Sequence, residues 1–225
     1  MPLYRYVKAQ PTKSVKRSAY ISYGLMGTGV LILLWTLWPI LSFSIFANTL
    51  TKTVSPVGPL TPIVQAADTL NPNTWFPTSP QKRVTAKVNT YTLSIPKLKI
   101  KDALVTIAGD DLAVSLIHYG GTPLPGQYGN AVIFGHSTLP QFFSPTNYKT
   151  IFSLLSTMKI GDEITATYDG ITYTYVVYDM VVIDPTDLSV LEQRFDDSYM
   201  TLVTCVPPGT YWKRLNVKAK IVKSP

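Results

Sequence analysis

Between Ser18 and Thr51 the chain carries no Asp, Glu, Lys or Arg, and that run constrains the fold more than any other feature. Its centre, LMGTGVLILLWTLWPILSFSIFA from Leu25 to Ala47, has the length and apolarity of a membrane-crossing helix, which needs about 20 such residues. Pro39 lies inside it, and membrane helices tolerate proline better than soluble ones do. Trp35, Trp38, Phe43 and Phe46 add aromatic bulk. The alternative is a cleaved signal peptide, with an apolar stretch of about 7–15 residues and a small-residue cleavage site. The run is longer than that, and IFAN matches such a site poorly. The sequence therefore points to an uncleaved signal anchor over residues 18–51, with the lipid bilayer as its partner. Residues 1–17 hold Arg5, Lys8, Lys13, Lys16 and Arg17 and no acid. A basic flank of this kind stays in the cytoplasm, so residues 1–17 read as a cytoplasmic tail and everything after Thr51 as extracellular. The expected location is the cell membrane, crossed once.

Charge then reads as topology rather than as a ligand signal. Removing those five residues from the 20 Lys and Arg leaves 15 against 13 Asp and Glu. A surplus of two supplies no basic patch and argues against nucleic acid as a partner. Residues 52–89 read as a linker or lid. Pro56, Pro59, Pro62, Pro72, Pro77 and Pro80 punctuate it, and such composition gives an extended, semi-rigid spacer. Within NPNTWFP (Asn71 to Pro77), Trp75 and Phe76 are large aromatics in polar surroundings. They either pack back onto the following domain or rest at the membrane interface.

From Thr90 the pattern turns to β. TYTLSIPKLKI (Thr90 to Ile100) alternates on both sides of Pro96, and ALVTI (Ala103 to Ile107) and NAVIFGH (Asn130 to His136) are short apolar runs. DEITATYDGITYTYVVYDMVVI (Asp162 to Ile183) is a hairpin signal, because Asp169-Gly170 suits a type I′ turn. YMTLVTC ends at Cys205 and RLNVKAKIV (Arg214 to Val222) alternates again. Helical signals are brief: near Asp110, near Thr150, and in DPTDLSVLEQR with Thr186 as the expected N-cap. Residues 90–225 are thus one mainly β domain of seven to eight strands with short helices, closed as a barrel or packed as a sandwich.

Cys205 is the single cysteine, so it is either an inert core thiol or a reactive one. A thiolate needs a nearby base or positive group. His118 and His136 are the only histidines. His136 leaves the strand-like AVIFGH for a loop, where reactive side chains usually sit; His118 reads as a packing or surface residue. Arg214 follows Cys205 by nine residues at the start of the next β run. If the two strands are neighbours, the loop returns its guanidinium to the thiol, where it can hold a developing oxyanion.

TLVTCVPPGTYWKRLNVKA resembles the signature of the sortases, membrane-anchored cysteine transpeptidases of bacterial surfaces, through Thr201, Leu202, Thr204, Cys205, Pro207, Gly209, Arg214 and Leu215. GGTPLPGQYGNAVIFGH resembles the family's approach to its histidine through Gly126, Gly129, Asn130, Gly135 and His136, and LSIPKLKI resembles its first barrel strand. The resemblance covers roughly residues 90–222 and implies a closed sortase-like barrel. It implies Cys205 as nucleophile, His136 as acid and base, and Arg214 as oxyanion holder, with Thr204, Leu202 and Ser137 as substrate contacts. It also implies partners: secreted proteins with an LPxTG-like sorting motif, and an amine acceptor that is a cell-wall peptide or a pilin lysine. The loop after Asp184, through DLSVLEQRF, is the expected wall of the peptide groove. Ser137 and Pro208 depart from the family pattern. The short Cys-to-Arg spacing is nearer the pilin-type classes, and NPNTWF is a loose echo of their Asp-Pro-aromatic lid. No acidic calcium loop is visible, so no metal and no cofactor are expected. Two other readings stay open: a membrane-anchored cysteine peptidase on the same scaffold, and a surface binding module without activity. A redox sensor would lack a resolving cysteine.

Overall fold

A computed structural model describes residues 13–46, 70–75, 79–82 and 88–222. Most of the basic tail, most of the 52–89 segment and Phe76 lie outside the described residues. The first element, α1 (Lys13–Phe46), contains Pro39. Its apolar part, Ala19–Phe43, has a mean hydropathy of 1.8, and the helix is long and apolar enough to cross a membrane. Three of its hydroxyls are satisfied inside the helix: Thr28 donates to the Gly24 carbonyl, Thr36 to Leu33 and Ser42 to Pro39. Such back-bonding removes the cost of carrying polar groups into lipid.

Eight strands follow: β1 (Thr90–Ile95), β2 (Ile100–Ile107), β3 (Leu116–His118), β4 (Gly129–Phe134), β5 (Glu163–Tyr168), β6 (Ile171–Ile183), β7 (Ser198–Val206) and β8 (Lys213–Ile221). They close into a barrel in the order β1-β2-β3-β4-β7-β8-β6-β5. Alternation in β1 buries Tyr91, Leu93 and Ile95. Pro96, which has no N–H to give a ladder, ends that strand in a single 3₁₀ turn over Pro96–Leu98. The β5–β6 hairpin turns on Asp169 and Gly170, with φ of 49° and 76°; a type I′ turn requires both to be positive.

Two apolar clusters define the barrel's two faces. Leu93, Ile133, Met200, Leu202, Leu215 and Val217 fill the interior. Trp75, Ile117, Phe134, Val190, Val203 and Cys205 form a second cluster on the outside. The side chains of β7 alternate between the two, so all nine of its residues are buried, as expected for a strand covered on both faces.

The three expected helices resolve differently. The stretch after Asp110 forms turns and then β3, which pairs parallel to β2 (Val105↔Leu116) and antiparallel to β4 (Ile117↔Phe134). It is too short to nucleate a helix on its own, and closing the barrel demands a strand between β2 and β4. The stretch after Thr150 forms turns and a 3₁₀ turn over Leu155–Thr157. The third is a 3₁₀ turn over Leu188–Leu191 whose cap is Asp187, accepting from the Ser189 N–H, and not Thr186.

Candidate active site

Antiparallel register sets Cys205 directly opposite Arg214 across β7 and β8. Directly paired residues share a face of the sheet, and Arg214 Nη1 lies 3.4 Å from Cys205 Sγ. The same nitrogen donates to the Tyr211 carbonyl at 3.3 Å, which fixes the guanidinium against the β7–β8 loop. Strand pairing itself, rather than a flexible return of the loop, brings the two side chains together.

On the other flank β4 runs parallel to β7, with Phe134 beside Val203. The Gly135 N–H continues that ladder to the Val203 carbonyl at 3.1 Å. Following the same register, His136 emerges alongside Cys205. Gly135 is needed for its size: a Cβ there would fall 2.2 Å from the Phe152 ring. Phe152 in turn donates its N–H to the His136 carbonyl at 3.1 Å, so the glycine lets Phe152 hold the histidine's backbone.

The three other expected contacts divide. Ser137 Oγ donates to the Cys205 carbonyl at 2.8 Å, and Thr204 Oγ1 donates to the Gly135 carbonyl at 2.8 Å. These two hydroxyls stitch β4 to β7 beside the thiol. Leu202 is 0% exposed inside the barrel core, on the face opposite Cys205, and presents no surface to a ligand. The expected groove wall after Asp184 does reach the thiol's cluster: Val190 is a member and Leu191 packs against it. Asn130 holds that loop by donating its Nδ2 to the Val190 carbonyl at 3.1 Å.

Cys205 is 1% exposed. Burial pushes its thiol pKa up, and the Arg214 charge pulls it part of the way back. The His136 ring stacks on Tyr211 with centroids 6.4 Å apart, and its buried Nδ1 has no hydrogen-bond partner. Burial lowers its pKa, and the positive charge of Lys149 lowers it further. Both shifts favour a neutral thiol and a neutral imidazole over an ion pair.

What buries the thiol side of Arg214 is Trp75. Its indole ring centroid lies 4.6 Å from the guanidinium carbon and 5.3 Å from the Phe134 centroid, edge-on. The described residues on either side of it are tied down. Asn71 Oδ1 accepts from the Asn73 N–H at 2.9 Å, capping a 3₁₀ turn over Pro72–Thr74. The Leu70 carbonyl accepts from the Leu112 N–H at 2.8 Å. Gln81 donates to the Gly109 carbonyl and accepts from the Gly120 N–H, each at 2.9 Å, and Tyr119 hydrogen-bonds the Ser79 carbonyl. Trp75 therefore packs on the domain. That the linker aromatics could pack back and shield the groove was legible in sequence, but the seat of Trp75 on Arg214, Tyr211 over His136 and Lys149 nearby were not; the aromatic pair Tyr211-Trp212 was the available signal for the second. Among the described residues no three His, Cys, Asp or Glu side chains converge on one point.

Residues 93–222, more than half of the chain, match the family model for the sortase domain. The chain belongs to the sortase family, whose members are cysteine transpeptidases. Among solved structures it is similar to sortase C1 from Streptococcus agalactiae, at 31% identity over 63% of this chain and 72% of that one, with a TM-score of 0.53. A sortase D5 transpeptidase from Clostridium perfringens is 27% identical over 63% of this chain and 83% of that one, with a TM-score of 0.52. A lid mutant of sortase A from Corynebacterium diphtheriae is 29% identical over 63% and 74%, with a TM-score of 0.53. A comparison with curated protein sequences finds no match.

Proposed function

We propose that the chain cleaves an LPxTG-like sorting motif in secreted proteins through a thioacyl intermediate on Cys205 and passes the acyl group to an amine. The observation that carries this reading is the Cys205–Arg214 pair, fixed by register at 3.4 Å, with His136 on the neighbouring strand. His136 takes the thiol proton as the Cys205 sulfur attacks the backbone carbonyl of the motif's threonine. Arg214 holds the oxygen as it gains charge, in a site where low dielectric strengthens that contact. His136 protonates the leaving amine, the peptide bond breaks and a thioester remains. His136 then takes a proton from the incoming amine, which attacks the thioester and frees Cys205. The acceptor is a cell-wall peptide amine or a pilin lysine. In this reading α1 is a single-pass anchor with a cytoplasmic basic tail over 1–17, and residues 90–225 act outside the cell. The 52–89 segment spans between them and lays Trp75 over the site as a cover.

The test is mass spectrometry of the protein incubated with an LPxTG peptide, with and without a small amine. A Cys205-linked acyl-enzyme that amines resolve into a ligated product supports the reading. An acyl-enzyme that water resolves equally fast with or without amine makes the chain a peptidase. A Cys205→Ala variant that still cleaves or ligates the peptide overturns it.

A further inference from the structure

Arg214 is one member of a row. Alternation along β8 puts Arg214, Asn216 and Lys218 on the outer face, opposite Cys205, Val203 and Thr201 of β7. Asn216 is 1% exposed, and its Oδ1 is buried with no hydrogen-bond partner among the described residues. Its cross-strand neighbours on the two sides are Val203 and Val181, which offer no polar group. The next orphan along the row is the Nε of Arg214 itself. An unpaired buried acceptor is destabilising, and a shape-matched Leu or Val would remove that loss. An asparagine kept there has a partner that the closed site lacks.

Two residues along a strand span about 6.8 Å, the same repeat with which an extended peptide offers its amides to one side. A peptide lying along β8 can therefore meet Arg214 and Asn216 in step. Beyond them the last member of the row, Lys218, lines a shallow pocket with Tyr178, Tyr199 and Thr201. His136 fixes which half of the peptide runs this way. It lies on the β4 side of Cys205, where it serves the leaving amine, so the acyl half extends toward β8.

We infer that Asn216 is a substrate-positioning residue whose Oδ1 accepts an N–H from the acyl half of the peptide once Trp75 has moved off Arg214. The inference rests on the transpeptidase reading above and adds a specific contact to it. A peptide that binds across β8 gains one hydrogen bond and relieves one orphaned acceptor, so its affinity is set partly by a residue that never touches the reacting atoms.

The probe is a fluorogenic peptide containing Leu-Pro-Glu-Thr-Gly, used with the full chain. Asn216→Leu is expected to lower kcat/KM for peptide cleavage about tenfold. It should leave Tm unchanged or higher, and the rate of Cys205 alkylation by iodoacetamide unchanged. Asn216→Asp keeps the acceptor, sits between two cations, and is expected to recover most of the loss. Methylating each acyl-half amide nitrogen of the peptide in turn should find one position that costs the wild type about tenfold and Asn216→Leu nothing. If Asn216→Leu cleaves normally, if Asp fails as badly as Leu, or if no acyl-half position couples to residue 216, the inference is overturned while the transpeptidase reading stands. A fall in Tm together with slowed alkylation would make Asn216 a purely structural residue and also overturns it. A wild-type chain that this peptide never acylates overturns both.

Discussion

The two histidines of this chain lie near the same end of β4, His118 paired with Ile133 and His136 just past Phe134, and are treated in opposite ways. His118 ends β3 and is fully buried. Its Nδ1 meets the Tyr91 hydroxyl at 3.0 Å, and its Nε2 meets the Thr122 carbonyl and hydroxyl at 3.2 and 3.1 Å. Every polar atom of that ring has a partner within the fold. His136 lies just beyond β4, buried beside the thiol, with Nδ1 unpartnered and a tyrosine rather than a polar group against its ring. Satisfaction marks the residue that holds structure, and its absence marks the residue that awaits a ligand.

Substitution at both positions breaks or sharpens this contrast most strongly. His136→Ala is expected to lower peptide turnover by about 10²–10⁴-fold, the usual contribution of a general acid–base, with little change in Tm. His118→Ala should do the reverse. It strands the Tyr91 hydroxyl, removes the ring's contact with the Thr122 carbonyl and leaves a cavity, costing about 2–4 kcal/mol, while the folded fraction keeps its activity. Near-normal turnover in His136→Ala, measured with the LPxTG peptide, would remove that residue from the mechanism.

Acid separates the two rings next. Burial lowers His118 from its ordinary 6.5 to about 4. The unfolded chain binds a proton as pH falls below about 6.5, whereas the fold refuses one until about 4. Stability that is complete above 6.5 is thus lost progressively between 6.5 and 4. The loss approaches about 3 kcal/mol, because a one-proton difference between the two states is worth about 1.4 kcal/mol for every step of one in pH. Thermal melts from pH 7 to 4 should show the fall, and His118→Gln should flatten it. An unchanged slope in that variant would assign acid sensitivity to other groups.

Gly135→Ala tests how firmly His136 is placed. The added methyl meets the Phe152 ring rather than the end of a flexible chain, so either Phe152 or the β4 end must move. Overpacking of this kind costs about 1–3 kcal/mol. Because Phe152 bonds the His136 carbonyl, turnover should drop more than the melting temperature implies. A variant with reduced Tm and full activity would show that His136 is held by something else.

Much of this arrangement was legible in the sequence, for identifiable reasons. β1, β5, β6 and β8 announce themselves by two-residue alternation or a paired hairpin, β7 by an apolar run suited to burial on both faces, and Asp169-Gly170 fixes the hairpin because few residue pairs accept positive φ twice. Cys205, His136 and Arg214 were legible through motif resemblance and scarcity of alternatives. β3 was not, since three residues carry no periodicity and its strand character comes only from the gap between β2 and β4. Leu202, expected as a substrate contact, lies on the interior face of β7, which motif membership does not reveal; its neighbours in the core decide that. The seat of Trp75 over Arg214 depends on contacts with Leu112, Gly109 and Gly120, far along the chain, which no local pattern encodes.

Trp75 gives the smallest expected effect and bears on the same contrast, because it is what keeps the His136 site closed. Its cation–π contact with Arg214 contributes about 1 kcal/mol, which corresponds to a shift of about fivefold between covered and uncovered sites. Trp75→Ala should therefore raise the rate of Cys205 alkylation by iodoacetamide several-fold. Trp75→Phe, which keeps a ring with a weaker face, should fall between. Uncovering also rehydrates the thiol, so part of the burial that raises its pKa is lost and the alkylation profile should move to lower pH. His118 gives the internal control: its ring meets Tyr91 of the interior cluster, whereas Trp75 packs in the outer one, so the pH-dependent fall in Tm between 6.5 and 4 should keep its size in Trp75→Ala. If alkylation is unchanged in Trp75→Ala, the indole does not limit access to Cys205, and the burial of that thiol belongs to the loop around Val190 instead.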